Sequence, residues 1–248
     1  MIELGIWDHM IVAILGLFLP VYTIWRGNQK APLPSFTSSD KIRLYYINSL
    51  ILLAGAGVVT LVWVLQDRPL ASMGFRVFEW SLWIAFVSGS LIVLYLVDVL
   101  IEMRIPKRRI LTEQRWRERT PFMPAIWSEF RHYLFLAGAA AVAEEVIFRG
   151  YFITYLVEIL GDSLASSGLA IAIPAVVFGL LHIYQGTKAL VKIMVLALPL
   201  GLLFLLSQSL ILVTIIHFVI DVTGGLLSLS LLANRESVTS KSESPATK

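Results

Sequence analysis

"SLWIAFVSGSLIVLYLVDVL", residues 81–100, holds a single charged side chain, Asp98. At about 1.5 Å per helical residue, a run of this length reaches roughly 30 Å, the hydrocarbon thickness of a bilayer. Apolar side chains fall on every face of such a helix, so it has no side to offer to water. The run reads as a membrane span, and its like recurs along the chain.

The 248 residues are 57% hydrophobic and 15% charged, with a mean hydropathy of +0.79. A soluble domain has about a quarter of its residues charged. Seven spans can be drawn, roughly over 4–25, 42–65, 80–101, 132–158, 166–185, 189–207 and 209–232. The expected fold class is all-α, a polytopic membrane helix bundle of about seven spans. Residues 1–233 form one transmembrane domain, and 234–248 a disordered polar tail. The fifth and sixth spans are short and hold Pro174 and Pro199, which predicts kinks or partial spans there. The opening "MIELGIWDHM" has no basic stretch before its apolar run, so that run is expected to stay as a span.

The chain has no cysteine, which removes disulfides, thiolate metal ligands and a thiol nucleophile. A net charge of +3 does not point to nucleic acid, because the basic residues cluster in loops between spans, as anchors against anionic lipid do. Alternate loops and the tail hold 17 of the 20 lysines and arginines. By the positive-inside rule that side is cytoplasmic, with the N-terminus outside and the C-terminus inside. Residues 102–131 mix basic side chains with Trp116, Phe122, Trp127 and Phe130, and are expected to form an interfacial amphipathic segment. Glycines at 55–57 and 224–225 lack any phosphate-loop context and read as packing positions.

An ionisable side chain deep in a span costs about 2.5–3.5 kcal/mol on insertion scales, so it signals a partner or a purpose. "AEEVIFRG", residues 143–150, places two carboxylates and an arginine in an apolar stretch. Glu145 and Arg149 are four apart, in the order that favours an ion pair. Glu144 points about 100° away from Glu145 and is left without that partner. The preceding "AGAAAVA" offers small side chains for close helix packing. "FGLLH" (178–182) and "HFVID" (217–221) add two histidines and an aspartate on further spans. Carboxylate and neutral imidazole suit zinc or another divalent ion, and equally suit activation of a water without metal. Asp98, His9, His132 and Glu158 lie near span ends and carry no such pattern.

Glu-Glu-x-x-x-Arg, Phe-x-x-x-His and His-x-x-x-Asn/Asp in this order resemble the CAAX-protease and bacteriocin-processing (CPBP, or Abi) family, which includes the type II CAAX prenyl endopeptidases. The resemblance covers about residues 120–232, the part it marks as the catalytic core; "ASMGFR" (71–76) is similar to a further family feature. It implies a bundle of usually about eight helices, the extra one being an interfacial helix within 110–131. It implies an intramembrane endopeptidase of a bacterial inner membrane, acting on a peptide or on the C-terminus of a lipid-anchored protein. Carried over, Glu144 is the general base, His182 helps it hold the water, and His217 with Asp221 stabilises the oxyanion. Glu145 and Arg149 support them, and Phe178 packs alongside.

The family is described both as zinc-type metalloproteases and as metal-independent glutamate proteases, so a divalent ion on Glu144, His182, His217 and Asp221 stays open. Many members have Asn where this chain has Asp221. An amide can donate to an oxyanion, whereas an ionised carboxylate cannot. Two other classes compete with catalysis: a non-proteolytic bacteriocin immunity or membrane-scaffolding protein, and a small ion transporter using the same buried cluster.

Overall fold

The computed structural model describes residues 3–27, 36–161 and 163–232. The tail over 234–248 and Lys30 of the first basic loop lie outside the described residues.

Eight helical rods make up the described chain. The first, α1, runs through Ile6–Ala13, a π-turn at Ile14–Phe18, and Leu19–Gly27. Next come α2 (Ser38–Leu65), α3 (Leu82–Arg104) and α4 (Pro106–Arg119). The longest rod, α5, joins Trp127–Glu145, a π-segment Val146–Ile153, and Thr154–Leu160. Then follow α6 (Leu164–Leu181), α7 (Thr187–Ser207) and α8 (Leu210–Leu232). All-α architecture is as expected, and the eighth helix is α4, inside the segment read as interfacial. Both Pro174 and Pro199 sit within rods that continue past them, so α6 and α7 are full-length rods instead of partial spans.

Six rods among the described residues are long and apolar enough to cross a membrane: α1, α2, α3, α6, α7 and α8. Their outward side chains are apolar, as at Leu50 (71% exposed) and Leu82 (84% exposed). Such a surface is stable against hydrocarbon and not against water. The rod α5 is long enough too, but Glu144, Glu145 and Arg149 lower its hydropathy. It keeps those charges by lying inside the bundle. Ala137, Ala139, Ala141 and Ala143 are all buried, and this small-residue surface lets α2 and α8 pack closely on either side of α5.

Local chemistry starts and stops the rods. Thr37 Oγ1 accepts from the Asp40 N–H at 3.2 Å while Asp40 Oδ2 accepts from the Thr37 N–H at 3.0 Å, a capping box for α2. Ser81 and Ser163 cap α3 and α6 in the simpler way, and Pro106 opens α4. Between α2 and α3, Gly74 adopts φ +92°, and a Cβ there would stand 2.6 Å from Phe204 Cε2. Its carbonyl accepts from the Leu210 N–H at 2.8 Å, tying that turn to the start of α8.

Buried ion pairs fasten the bundle at both ends. At one end Asp8, fully buried, meets Arg68 Nη2 at 2.7 Å and accepts from Tyr151 Oη at 2.8 Å. This joins α1, the α2–α3 turn and the π-segment of α5. At the other end Lys41 pairs with Glu129 at 2.9 Å, and Ser38 Oγ donates to the same carboxylate at 2.6 Å. Asp98 pairs with Lys192 of α7. His9 and His132 bond to Tyr155 and Tyr46 respectively.

Candidate active site

Consecutive residues on a helix turn by about 100°, so α5 presents Glu144 and Glu145 to different neighbours. Glu145 is fully buried. Its Oε1 accepts from Arg149 Nη1 at 2.9 Å and lies 2.7 Å from His217 Nδ1; Oε2 has no partner among the described residues. Arg149 also donates to the Ala197 carbonyl of α7 at 3.4 Å and sits 5.2 Å from the centre of the Phe178 ring. The arginine is thus compensated from three helices, which makes its burial tolerable.

Glu144 faces the other way, into a cavity of about 400 Å³ that His182, His217 and Asp221 also line. Its Oε2 stands 3.6 Å from His217 Nε2, and Asp221 Oδ2 stands 3.7 Å from the same nitrogen. Both separations are long for direct hydrogen bonds, so His217 Nε2 faces two carboxylates across the cavity without being tied to either.

His182 terminates α6, and its Nδ1 lies 2.8 Å from the Phe178 carbonyl oxygen. A carbonyl only accepts, so Nδ1 carries the hydrogen and the neutral ring keeps Nε2 as an acceptor. His217 obeys the same logic: Nδ1 donates to the Glu145 carboxylate, which leaves Nε2 for the cavity. Phe178 touches both imidazoles, tilted against His182 at 4.6 Å and edge-on to His217 at 6.2 Å between ring centres.

The turn that bears Asp221 is held from two sides. Tyr95 Oη of α3 donates to the Ile220 carbonyl at 3.0 Å, and Tyr133 Oη of α5 to the Asp221 carbonyl at 3.3 Å. Gly225 allows this approach, since a Cβ there would lie 2.6 Å from Tyr133 Cε1.

The seven residues singled out from the sequence therefore sit together. Glu144, His182, His217, Asp221 and Phe178 line one cavity, with Glu145 and Arg149 behind His217. The pairing of Glu145 goes further than helical spacing suggested, because His217 shares the oxygen that Arg149 binds. The same cavity takes in polar residues that sequence reading passed over, Asn48, Tyr133, Tyr184 and Gln185. Asn48 had left a trace as a lone amide in the apolar run of α2, and Tyr184 as the second residue after His182.

Metal binding needs several donors aimed at one point. Among the described residues no group of three His, Asp or Glu side chains is so placed, while Nε2 of each cavity imidazole is left free by the bond that Nδ1 makes. No step below passes through an ion.

Residues 126–223 match the family model described as "Type II CAAX prenyl endopeptidase Rce1-like". No curated protein and no solved structure matches the chain. The matched segment runs from the start of α5 to just past Asp221 and contains all three motifs. This is an integral membrane protein whose motif-bearing helices, α5 to most of α8, are similar to the Rce1-like type II CAAX prenyl endopeptidases.

Proposed function

We propose that this protein is an intramembrane endopeptidase in which Glu144 and His182 activate a water against a peptide bond. The observation that carries the reading is the convergence of Glu144, His182, His217 and Asp221, from three helices, on one cavity. His182 offers Nε2 as an acceptor because its Nδ1–H is committed to Phe178. A water donating to Glu144 and to His182 then has a lone pair free for the scissile carbonyl carbon.

As the oxygen attacks, Glu144 takes the water proton and the carbonyl π pair moves onto oxygen. His217, in its imidazolium form, donates Nε2–H to that oxyanion. Glu145 stabilises the imidazolium from the far side, with Asp221 alongside. When the tetrahedral intermediate collapses, the C–N bond breaks and Glu144 returns its proton to the leaving nitrogen. The products are a carboxylic acid and an amine. Burial of the cavity between helices favours such charge stabilisation.

In this reading the end of the bundle with Lys41, Lys192 and α4 faces the cytoplasm of a bacterial inner membrane and the N-terminus lies outside, which the clustering of basic residues in alternate loops supports. A substrate is a peptide, or the C-terminus of a protein held at the membrane. The test is cleavage of a peptide panel by detergent-purified protein. Loss of cleavage in both Glu144→Ala and His182→Ala is expected; either variant cleaving as fast as the parent overturns the assignment. An immunity or scaffolding role in its place would show as partner capture and cell phenotype undiminished in Glu144→Gln.

A further inference from the structure

The proposed mechanism, on which this inference rests, leaves the oxyanion with one donor, His217 Nε2–H. Oxyanion sites normally present at least two convergent donors, and the natural candidate at position 221 is an aspartate, which when ionised only accepts. His182 cannot serve, because its one hydrogen, on Nδ1, is spent on the Phe178 carbonyl. Asn48 lines the same cavity but is offset along the bundle from Glu144. On the parallel rods α2 and α5, Tyr45 packs on Tyr133 and Trp63 on Tyr151, which puts Asn48 about two helical turns from Glu144.

Tyr184 meets the requirement. It lies in the turn Ile183–Gln185 that follows α6, two residues past His182. Its ring is 6.1 Å from the His182 ring at an interplanar angle of 30°, and it lines the cavity with Glu144, His217 and Asp221. Its hydroxyl oxygen accepts from Gln185 Nε2 at 3.1 Å. The phenolic hydrogen has no acceptor among the described residues. Desolvation holds the phenol above its ordinary pKa of about 10, so it is neutral at physiological pH and is able to donate. A hydroxyl whose oxygen is already held by a donor is oriented and polarised to give its own proton to a further acceptor.

We infer that Tyr184 is a catalytic residue that donates a hydrogen bond to the oxyanion, supplying the donor that an aspartate at 221 withholds. No proton is transferred; the phenol stays intact and its O–H bond shortens the distance to oxygen as negative charge develops there.

The experiment uses full-length protein in detergent and whichever peptide the parent cleaves fastest from a degenerate library. Tyr184→Phe should lower kcat by about 10²- to 10³-fold, the usual effect of deleting one oxyanion donor, with little change in KM. Asp221→Asn placed in the Tyr184→Phe background should restore much of that loss, because the amide can now donate. A peptide aldehyde of the cleaved sequence, whose hydrate mimics the intermediate, should bind Tyr184→Phe far more weakly than the parent. The corresponding product acid should bind both alike. A Tyr184→Phe enzyme with unchanged kcat, a loss that Asp221→Asn leaves untouched, or equal aldehyde binding overturns the inference. If Glu144→Ala is inactive while Tyr184→Phe is fully active, this inference alone fails. If the parent cleaves nothing, or Glu144→Ala cleaves as well as the parent, the endopeptidase reading fails, and the inference falls with it.

Discussion

His217 Nδ1 and Glu145 Oε1 stand 2.7 Å apart, although 72 positions separate the two residues in the chain. Arg149 meets the same oxygen at 2.9 Å. The acid next to the candidate base therefore has two duties. It neutralises a buried arginine, and it fixes the tautomer and rotation of an imidazole on another helix. Glu144, one residue earlier, is spared both and faces the cavity.

The two neighbouring glutamates should consequently respond differently to the same substitution. Glu144→Gln should melt with the parent in detergent and lose cleavage by at least about 10²-fold, the contribution of a general base. Glu145→Gln should both melt earlier and cleave more slowly, since it weakens the ties to Arg149 and His217 together. Thermal melts read beside kcat distinguish the pair. Indistinguishable profiles for the two variants would contradict the division of labour.

Arg149→Met should be strongly destabilising. Breaking a buried ion pair from one side costs about 3–5 kcal/mol, because the surviving charge is left uncompensated. Here Glu145 would keep only His217. Unfolding in mixed detergent–dodecyl sulfate titrations measures the loss, and the double variant Arg149→Met with Glu145→Leu should recover part of it.

Asp8→Ala should cost stability of the same order, for Arg68 and Tyr151 both depend on that carboxylate. The cluster lies at the end of the bundle away from α4, and none of its three residues lines the cavity. Cleavage per folded molecule should stay near the parent's. Equal melting of Asp8→Ala and parent would remove the cluster from the account of what holds α1 in place.

Chelators give a direct check on the chemistry of the water. With activation by Glu144 and His182 alone, cleavage should be unchanged after incubation with EDTA or phenanthroline followed by desalting. A loss reversed by added zinc, with metal found by elemental analysis, would replace the base mechanism with a metal-centred one.

Much of the fold can be read from the chain because a run such as 81–100 has no water-compatible face in any helical rotation. The helix α4 was harder to delimit: its basic and aromatic residues announce an interface, but Pro121 and Pro124 break the periodicity just beyond it. The Glu145–Arg149 pair and the outward turn of Glu144 follow from helix geometry within one segment. The bond from Glu145 to His217 does not, since it depends on how α8 is rotated against α5. The Asp8–Arg68–Tyr151 cluster was hidden for a similar reason, as its three members come from distant parts of the chain and no local spacing relates them. Tyr184 escaped notice because a tyrosine at the end of a span is ordinarily an interface residue, and only the cavity gives it another meaning.

The wide coil at Val146–Ile153 has a bearing on the history of the gene. A π-segment holds more residues per turn than a regular helix, and such segments cluster near functional sites. Elsewhere in a membrane rod, losing one codon swings every later side chain by about 100° and would carry Glu144 or its supports out of place. Within this stretch surplus length is already stored as girth, so a deletion can be absorbed without re-aiming what lies on either side. Among descendants of this sequence, changes in the length of α5 should collect between Arg149 and Thr154, past the Glu145–Arg149 pair, and be rare in the rest of it.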